Sequence, residues 1–263
     1  MSGPVYVYGI VESEGAPPGS GPGVPDTGDV RTVAVADGLY LVLADADAKA
    51  WAEDAIGDGL RDMDWVGARA IAHAEVLASF LARQALIPMK AFTLFSSEAR
   101  ALDDVRARLE TVRTVLARVR GSVEWGLRMR FDEQAARERQ LRAASEKPAS
   151  GAAFRQRKTQ LHESAKNARA DAYAAARGVA ERIAKIAREA RVVPAPAAAG
   201  GTSSLLLEVA YLAPRASSAE IEALIAGERD ALAAVGVEPE LTGPWAPFHF
   251  ATPPDGAGER RDV

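Results

Sequence analysis

Residues 123–131, VEWGLRMRF, alternate cleanly between two kinds of side chain. Trp125, Leu127, Met129 and Phe131 share one face, and Glu124, Arg128 and Arg130 share the other. Successive side chains of a strand point to opposite sides, so this run predicts a half-buried β-strand. Such a strand belongs to a sheet with helices packed on one face. Other segments supply its neighbours. Leu205–Leu212 is apolar enough for a central strand, and Val5–Val11 is β-branched and aromatic. Thr32–Ala36 and Leu39–Ala44 flank Asp37-Gly38, a pair that tolerates the positive φ angles of a type I′ hairpin turn. Strands are also expected over Met89–Phe95, with Lys90, Phe92 and Leu94 on one side, and over Val237–Leu241.

Helical periodicity fills the intervals. A short helix is expected near Asp47–Ile56. A longer one runs from an Asp64 cap to about Gln84, with Val66, Ala70, His73, Leu77, Phe80 and Leu81 on its apolar face. Ser97 caps a single helix to about Val119, faced by Leu102, Val105, Leu109, Val112, Leu116 and Val119. A polar helix (Asp132–Ala144) and a break at Lys147–Gly151 precede residues 152–191, which lack proline and carry a stripe from Phe154 through Leu161, Ala172, Val179 and Ile183 to Ala190. A straight helix of that length extends about 60 Å. The stripe is Ala-rich at its centre, which implies close helix packing, on its own chain or by self-association. Val193–Gly201 is a further break, and Ala219–Val235 the last helix. The fold class is therefore α+β in two domains: 1–120, something like a ferredoxin-type α/β sandwich, and 121–251, an α+β domain around the long helix 152–191. Residues 252–263 form a polar, disordered tail.

The residue inventory removes most chemistries. The chain has no cysteine among its 263 residues, which excludes disulfide scaffolds, thiolate metal sites and cysteine nucleophiles. His73, His162 and His249 are far apart in sequence. His73-Ala74-Glu75 superficially matches the H-x-E of zinc deaminases, which also require two cysteines. Phosphate loops, nucleophile elbows and H-E-x-x-H are absent, and the Gly/Pro-rich stretch Gly15–Gly28 reads as a surface loop. No catalytic, cofactor-binding or metal-binding residue is assigned. With no run of 18 uncharged apolar residues, a soluble cytoplasmic protein without a membrane span is expected. Residues 1–60 carry ten acidic side chains against Arg31 and Lys49, while residues 152–191 carry ten Lys/Arg against four acids. An acidic N-terminal sheet speaks against nucleic acid, although an RNA-binding or small-ligand regulatory module stays open as the alternative.

Two features remain as candidates for contact with a partner. Lys90 stands on an apolar strand beside Phe92, either facing a ligand or snorkelling at a sheet edge. Near the C-terminus, Gly243-Pro244-Trp245-Ala246-Pro247-Phe248-His249-Phe250 is stiff and aromatic. It either plugs the second domain's core or anchors a partner through Trp245, Phe248 and Phe250, and the two roles are compatible.

At this segment the sequence resembles the gas vesicle GvpL/GvpF family, whose members end in Leu-Thr-Gly-Pro-Trp-Pro-Pro-Tyr-x-Phe. Leu241–Phe250 follows that pattern, with Ala246 for a Pro and Phe248 for the Tyr. Val5–Val11 matches the family's opening strand, His73-Ala74-Glu75 its His/Glu helix, Glu124–Arg128 its Glu-Trp-Gly strand, and Gly151–Phe154 with Lys158 its helix start. Ile87–Thr93 matches Leu/Ile-Pro-x-Lys/Arg-Phe-Gly-Thr, except that Ala91-Phe92 stand where the family has Phe-Gly. The resemblance implies two domains, a modified ferredoxin-like N-terminal one and an α+β C-terminal one. It also implies a non-enzymatic accessory protein of the gas vesicle, contacting the hydrophobic shell protein GvpA during nucleation or assembly, limiting its aggregation, and contacting other accessory gas vesicle proteins. A groove involving the N-terminal sheet and the Lys90/Phe92 strand is the expected contact.

Overall fold

The structure is a computed structural model that describes residues 3–134, 136, 151–194 and 203–252, with the side chains of 151–167 and 203 left aside. Most of the expected helix 132–144, the break at 147–150, the apolar stripe at Phe154, Leu161 and Ala165, His162, and the tail beyond 252 lie outside the described residues or side chains. The fold is α+β, with two compact units: residues 1–124 with 244–263, and residues 125–243. The chain thus passes between the units twice, at Glu124–Trp125 and at Gly243–Pro244.

The first unit is built on an antiparallel sheet. Its strands are β1 (Val5–Glu12), β2 (Gly21–Pro22), β3 (Asp29–Ala36), β4 (Leu39–Asp45), β5 (Ala85–Pro88) and β6 (Leu94–Phe95). The order is β2-β3-β4-β1-β5, with β6 also on β1. Helices α1 (Glu53–Gly59), α2 (Met63–Leu81), α3 (Glu98–Ala107) and α4 (Leu109–Val119) complete the unit. Every β1 side chain from Val5 to Val11 is buried, so this strand is covered on both faces rather than on one. Gly9 permits close pairing with β5, because a Cβ there would lie 2.6 Å from the carbonyl oxygen of Ile87.

Local chemistry explains where the elements begin and end. Asp62, not Asp64, caps α2, its carboxylate accepting the backbone N–H groups of Asp64 and Trp65. Ser97 caps α3 through the N–H of Arg100, as the capping pattern predicts. The single helix expected over 97–119 is two, because Arg108 leaves the helical region at φ −118° and ψ 23°. At the β3–β4 hairpin only Gly38 takes a positive φ (69°), and the register slips between Ala34 and Ala36. The turn is therefore bulged instead of type I′, which needs positive φ at both central residues.

The second unit holds most of β7 (Ser122–Asp132), then α5 (Gly151–Ile186), β8 (Glu189–Val192), β9 (Ser203–Pro214), α6 (Ser218–Ala234) and most of β10 (Val237–Trp245). Its sheet order is β10-β7-β9-β8. Trp125, Leu127, Met129 and Phe131 are all buried, as their alternation requires, and Arg128 is exposed. Ala172, Ala176, Val179 and Ile183 of α5 are buried within this unit, where α5 packs on β9 and α6. The Tyr211 hydroxyl donates to the Ala180 carbonyl at 3.0 Å, and burial pushes its pKa up. Helix α5 stops five residues short of Arg191. The Arg188 N–H donates to Leu212 O at 2.8 Å, and β8 then pairs along β9. An edge strand for the apolar β9 outcompetes another helical turn.

Candidate functional site

Five residues separate β5 from β6, and both strands pair with β1 along the same edge. Gly9 pairs with Pro88 and Tyr6 with Leu94, so residues 89–93 stand opposite only Val7 and Tyr8. The surplus residues bulge out of the sheet. The expected strand Met89–Phe95 is therefore two short strands joined by a loop, and Lys90 is exposed on it. Phe92 lies at φ +66°, left-handed space that L side chains adopt only under constraint. This is the position at which the family pattern carries glycine. Nothing in the spacing of apolar residues announces the bulge.

Side chains of β1 and α2 help to hold the loop in place. The Phe92 N–H donates to the Tyr6 hydroxyl at 2.9 Å. His73 Nε2 donates to the Met89 carbonyl at 3.1 Å, and its Nδ1 lies 3.0 Å from the Tyr6 hydroxyl. The neutral ring has one N–H, spent on Met89, so Tyr6 donates to Nδ1. The Phe92 ring also stacks on Trp65 at 5.6 Å and 7°. Burial pushes the Tyr6 pKa up and the His73 pKa down, which keeps both groups neutral.

Behind the loop lies an aromatic cluster that the sequence reading did not assemble. Trp51 meets Tyr6 edge-on at 5.1 Å, and Tyr8 stacks with His73 at 5.5 Å. The Arg69 guanidinium sits 3.9 Å over Trp65 and is ion-paired with Asp26, itself at φ +66°. Trp65, Arg69 and His73 are spaced by four along α2. That spacing puts them on one helix face and is the one sequence signal for the cluster. The Gly-rich stretch joins it too: Tyr8 accepts the Val24 N–H at 2.9 Å, and at Gly23 a Cβ would lie 2.5 Å from that hydroxyl.

The C-terminal aromatic segment packs within the first unit. Phe250 is fully buried, with the Arg118 guanidinium 5.7 Å from its ring centre. Phe248 remains 38% exposed and Trp245 47% exposed. The Phe248 ring centre lies 6.5 Å from that of His73. Glu124, placed by alternation on the polar face of its strand, is buried and accepts from His249 twice. The backbone N–H donates to Oε2 at 2.8 Å, and Nδ1 lies 2.6 Å from Oε1. His73 is thus touched by the 89–93 loop on one side and by Phe248 on another. Of the five candidate residues, Lys90, Trp245 and Phe248 are exposed and Phe92 is half-buried against Trp65. Phe250 serves as the buried anchor of its segment.

His73 makes this assembly pH-sensitive. Its folded pKa lies below the ordinary value of about 6.5, so the unfolded chain takes up the proton first as pH falls. Stability is expected to be insensitive to His73 above about pH 7 and to drop as pH falls below about 6.5. Thermal unfolding of the protein and of His73→Gln between pH 8 and 5.5 checks this. The difference between their melting temperatures should shrink toward low pH, because the variant has no proton to take up.

Among the described residues, no group of three or more His, Cys, Asp or Glu is placed to hold a metal ion, and no helix is long and apolar enough to cross a membrane. The sequence model described as Gas vesicle synthesis protein GvpL/GvpF matches residues 4–252. Gas vesicle protein L of Streptomyces sp. (strain CB03234) is 31% identical over 198 residues, which span 73% of this chain and 72% of that protein. The crystal structure of gas vesicle protein GvpF from Anabaena sp. PCC7120 aligns with a TM-score of 0.68 at 14% identity, covering 95% of this chain and 99% of that one. GvpF from Microcystis aeruginosa aligns with a TM-score of 0.62, also at 14% identity and with the same coverage. At such identity the two structures establish a shared fold.

Proposed function

This chain belongs to the GvpL/GvpF family of gas vesicle synthesis proteins, a family of accessory proteins, and from that premise we propose that it acts without catalysis, binding the hydrophobic shell protein GvpA during nucleation and assembly and limiting its aggregation. The observation that carries the reading is the exposure of Trp245 and Phe248 on a segment whose buried end, Phe250, fixes their positions. Exposed aromatics on a rigid backbone lose little entropy on binding and suit an apolar partner surface. Phe92 and Lys90 on the neighbouring loop would extend that surface and give it a cationic border. Because β1 is covered on both faces, the contact would use this loop and the C-terminal segment in preference to a groove in the sheet. Contacts with other accessory gas vesicle proteins, and residence on the vesicle or in the cytoplasm, belong to the same proposal.

Co-expression with the shell protein, scored as shell protein retained in solution and co-purified, tests the reading. Trp245→Ser with Phe248→Ser is expected to reduce retention several-fold in a folded protein, and Lys90→Glu with Phe92→Ser to reduce it as well. Phe92→Gly separates folding from contact. Relief of the left-handed strain, about 1–2 kcal/mol, offsets part of the loss of the half-buried ring and its Trp65 stack. Stability should fall by no more than about 2 kcal/mol, leaving the variant folded, while retention falls. Full retention by all three folded variants would sink the proposal.

A further inference from the structure

Helix α2 is unusual in being apolar on its solvent side. Met63 is 78% exposed and Ile71 62% exposed, and Ala68, Ala70 and Ala78 are exposed with them. Met63, Gly67, Ile71, Ala74 and Ala78 follow one another at intervals of four, four, three and four, which is a continuous seam along one face of a helix. A surface helix ordinarily turns charged residues outward, and here Asp64 and Glu75 are the only charged residues exposed within α2. Leu60, 51% exposed, continues the apolar surface just ahead of the helix.

The border of this face has one sign. Asp62 at the helix cap and Asp64 and Glu75 within α2 are exposed, and no basic side chain is exposed over residues 62–81. Asp62 is held in place by its capping bonds to the start of α2. An apolar seam rimmed by carboxylates complements an amphipathic helix whose apolar stripe is flanked by Lys or Arg. The small residues Gly67, Ala70 and Ala74 let a helix backbone approach closely, while Met63 and Ile71 supply the apolar area. From Met63 to Ala78 the seam is about 22 Å long, which matches about four turns of a partner helix.

We propose that the solvent face of α2 is a docking surface for a basic amphipathic helix carried by another protein. The aromatic surface assigned above faces a different contact, since Trp65 and His73 project from the buried side of α2. The two surfaces therefore stand or fall separately.

The test uses the full chain and a fluorescent amphipathic Lys/Leu peptide of about 18 residues, with a Glu/Leu peptide of the same apolar pattern as control. Anisotropy titration is expected to show micromolar binding of the Lys/Leu peptide, weakening with added salt, and none of the control. Met63→Ser with Ile71→Ser, both at exposed positions that the fold does not need, should weaken binding at least tenfold. Asp64→Asn with Glu75→Gln should weaken it severalfold and flatten its salt dependence. Absence of Lys/Leu binding, equal binding of both peptides, or binding unchanged in the serine variant overturns the proposal. So does light scattering that shows a dimer of the parent abolished by the serine pair, which would make the face a contact between copies.

Discussion

Phe250→Ala is expected to destabilise the first unit by about 3–5 kcal/mol, the largest effect of any single change in the C-terminal segment. The ring is wholly buried and carries the Arg118 guanidinium over it. Alanine leaves a cavity bounded by residues fixed elsewhere in the fold, so collapse recovers little of the lost contact. The effect should spread along the segment, because Ala246 is also buried and the His249–Glu124 pair depends on the same docking. Urea unfolding followed by tryptophan fluorescence gives the free energy, and Phe250→Leu should cost less than half as much. A loss under about 1 kcal/mol would mean that residues 246–250 lie on the unit without being part of its core.

Tyr6→Phe should cost about 2–4 kcal/mol although it removes one oxygen atom. That oxygen accepts from Phe92 and donates to His73, so its loss strands a backbone N–H and an imidazole nitrogen in a buried setting. Tyr8→Phe is the internal control. Its hydroxyl accepts the Val24 N–H, and its loss should cost about 1–2 kcal/mol. Hydrogen exchange locates the damage: in Tyr6→Phe the Phe92 amide should exchange much faster, while the Leu41 and Leu43 amides in the centre of the sheet keep their protection. If the two variants were equally destabilised, the bridge from Tyr6 to the 89–93 loop would not be what holds Phe92 in its left-handed conformation.

The candidate site was legible one segment at a time. The sequence marks Lys90, Phe92, Trp245, Phe248 and Phe250 as unusual, and it places His73 on the apolar face of its helix. It does not reveal that Phe248 reaches His73, or that Glu124 and His249, 125 positions apart, share a bond. Alternation assigned Glu124 to solvent because period two reports which side of a strand a residue occupies and is blind to what covers that side. Arg69 reads as an ordinary helix charge for a related reason. A guanidinium on an apolar helix face becomes sensible only when indoles flank it and Asp26 arrives from a distant turn.

What the sequence determined by itself is whatever one stretch of chain can decide. The alternation of Trp125, Leu127, Met129 and Phe131 dictated a half-buried strand, Ser97 dictated a helix start, and the terminal Leu241–Phe250 motif pointed to the family that the whole-chain match establishes. These follow from period, capping chemistry and residue identity, which need no partner. Tertiary structure alone decided the bulge at 89–93, the early end of α5 and the grouping of residues 244–252 with the first unit. In each of these a backbone or side-chain group chose among partners that are distant in sequence. The winner is set by which buried hydrogen bonds and contacts can be satisfied together, a sum over the fold that no local pattern contains.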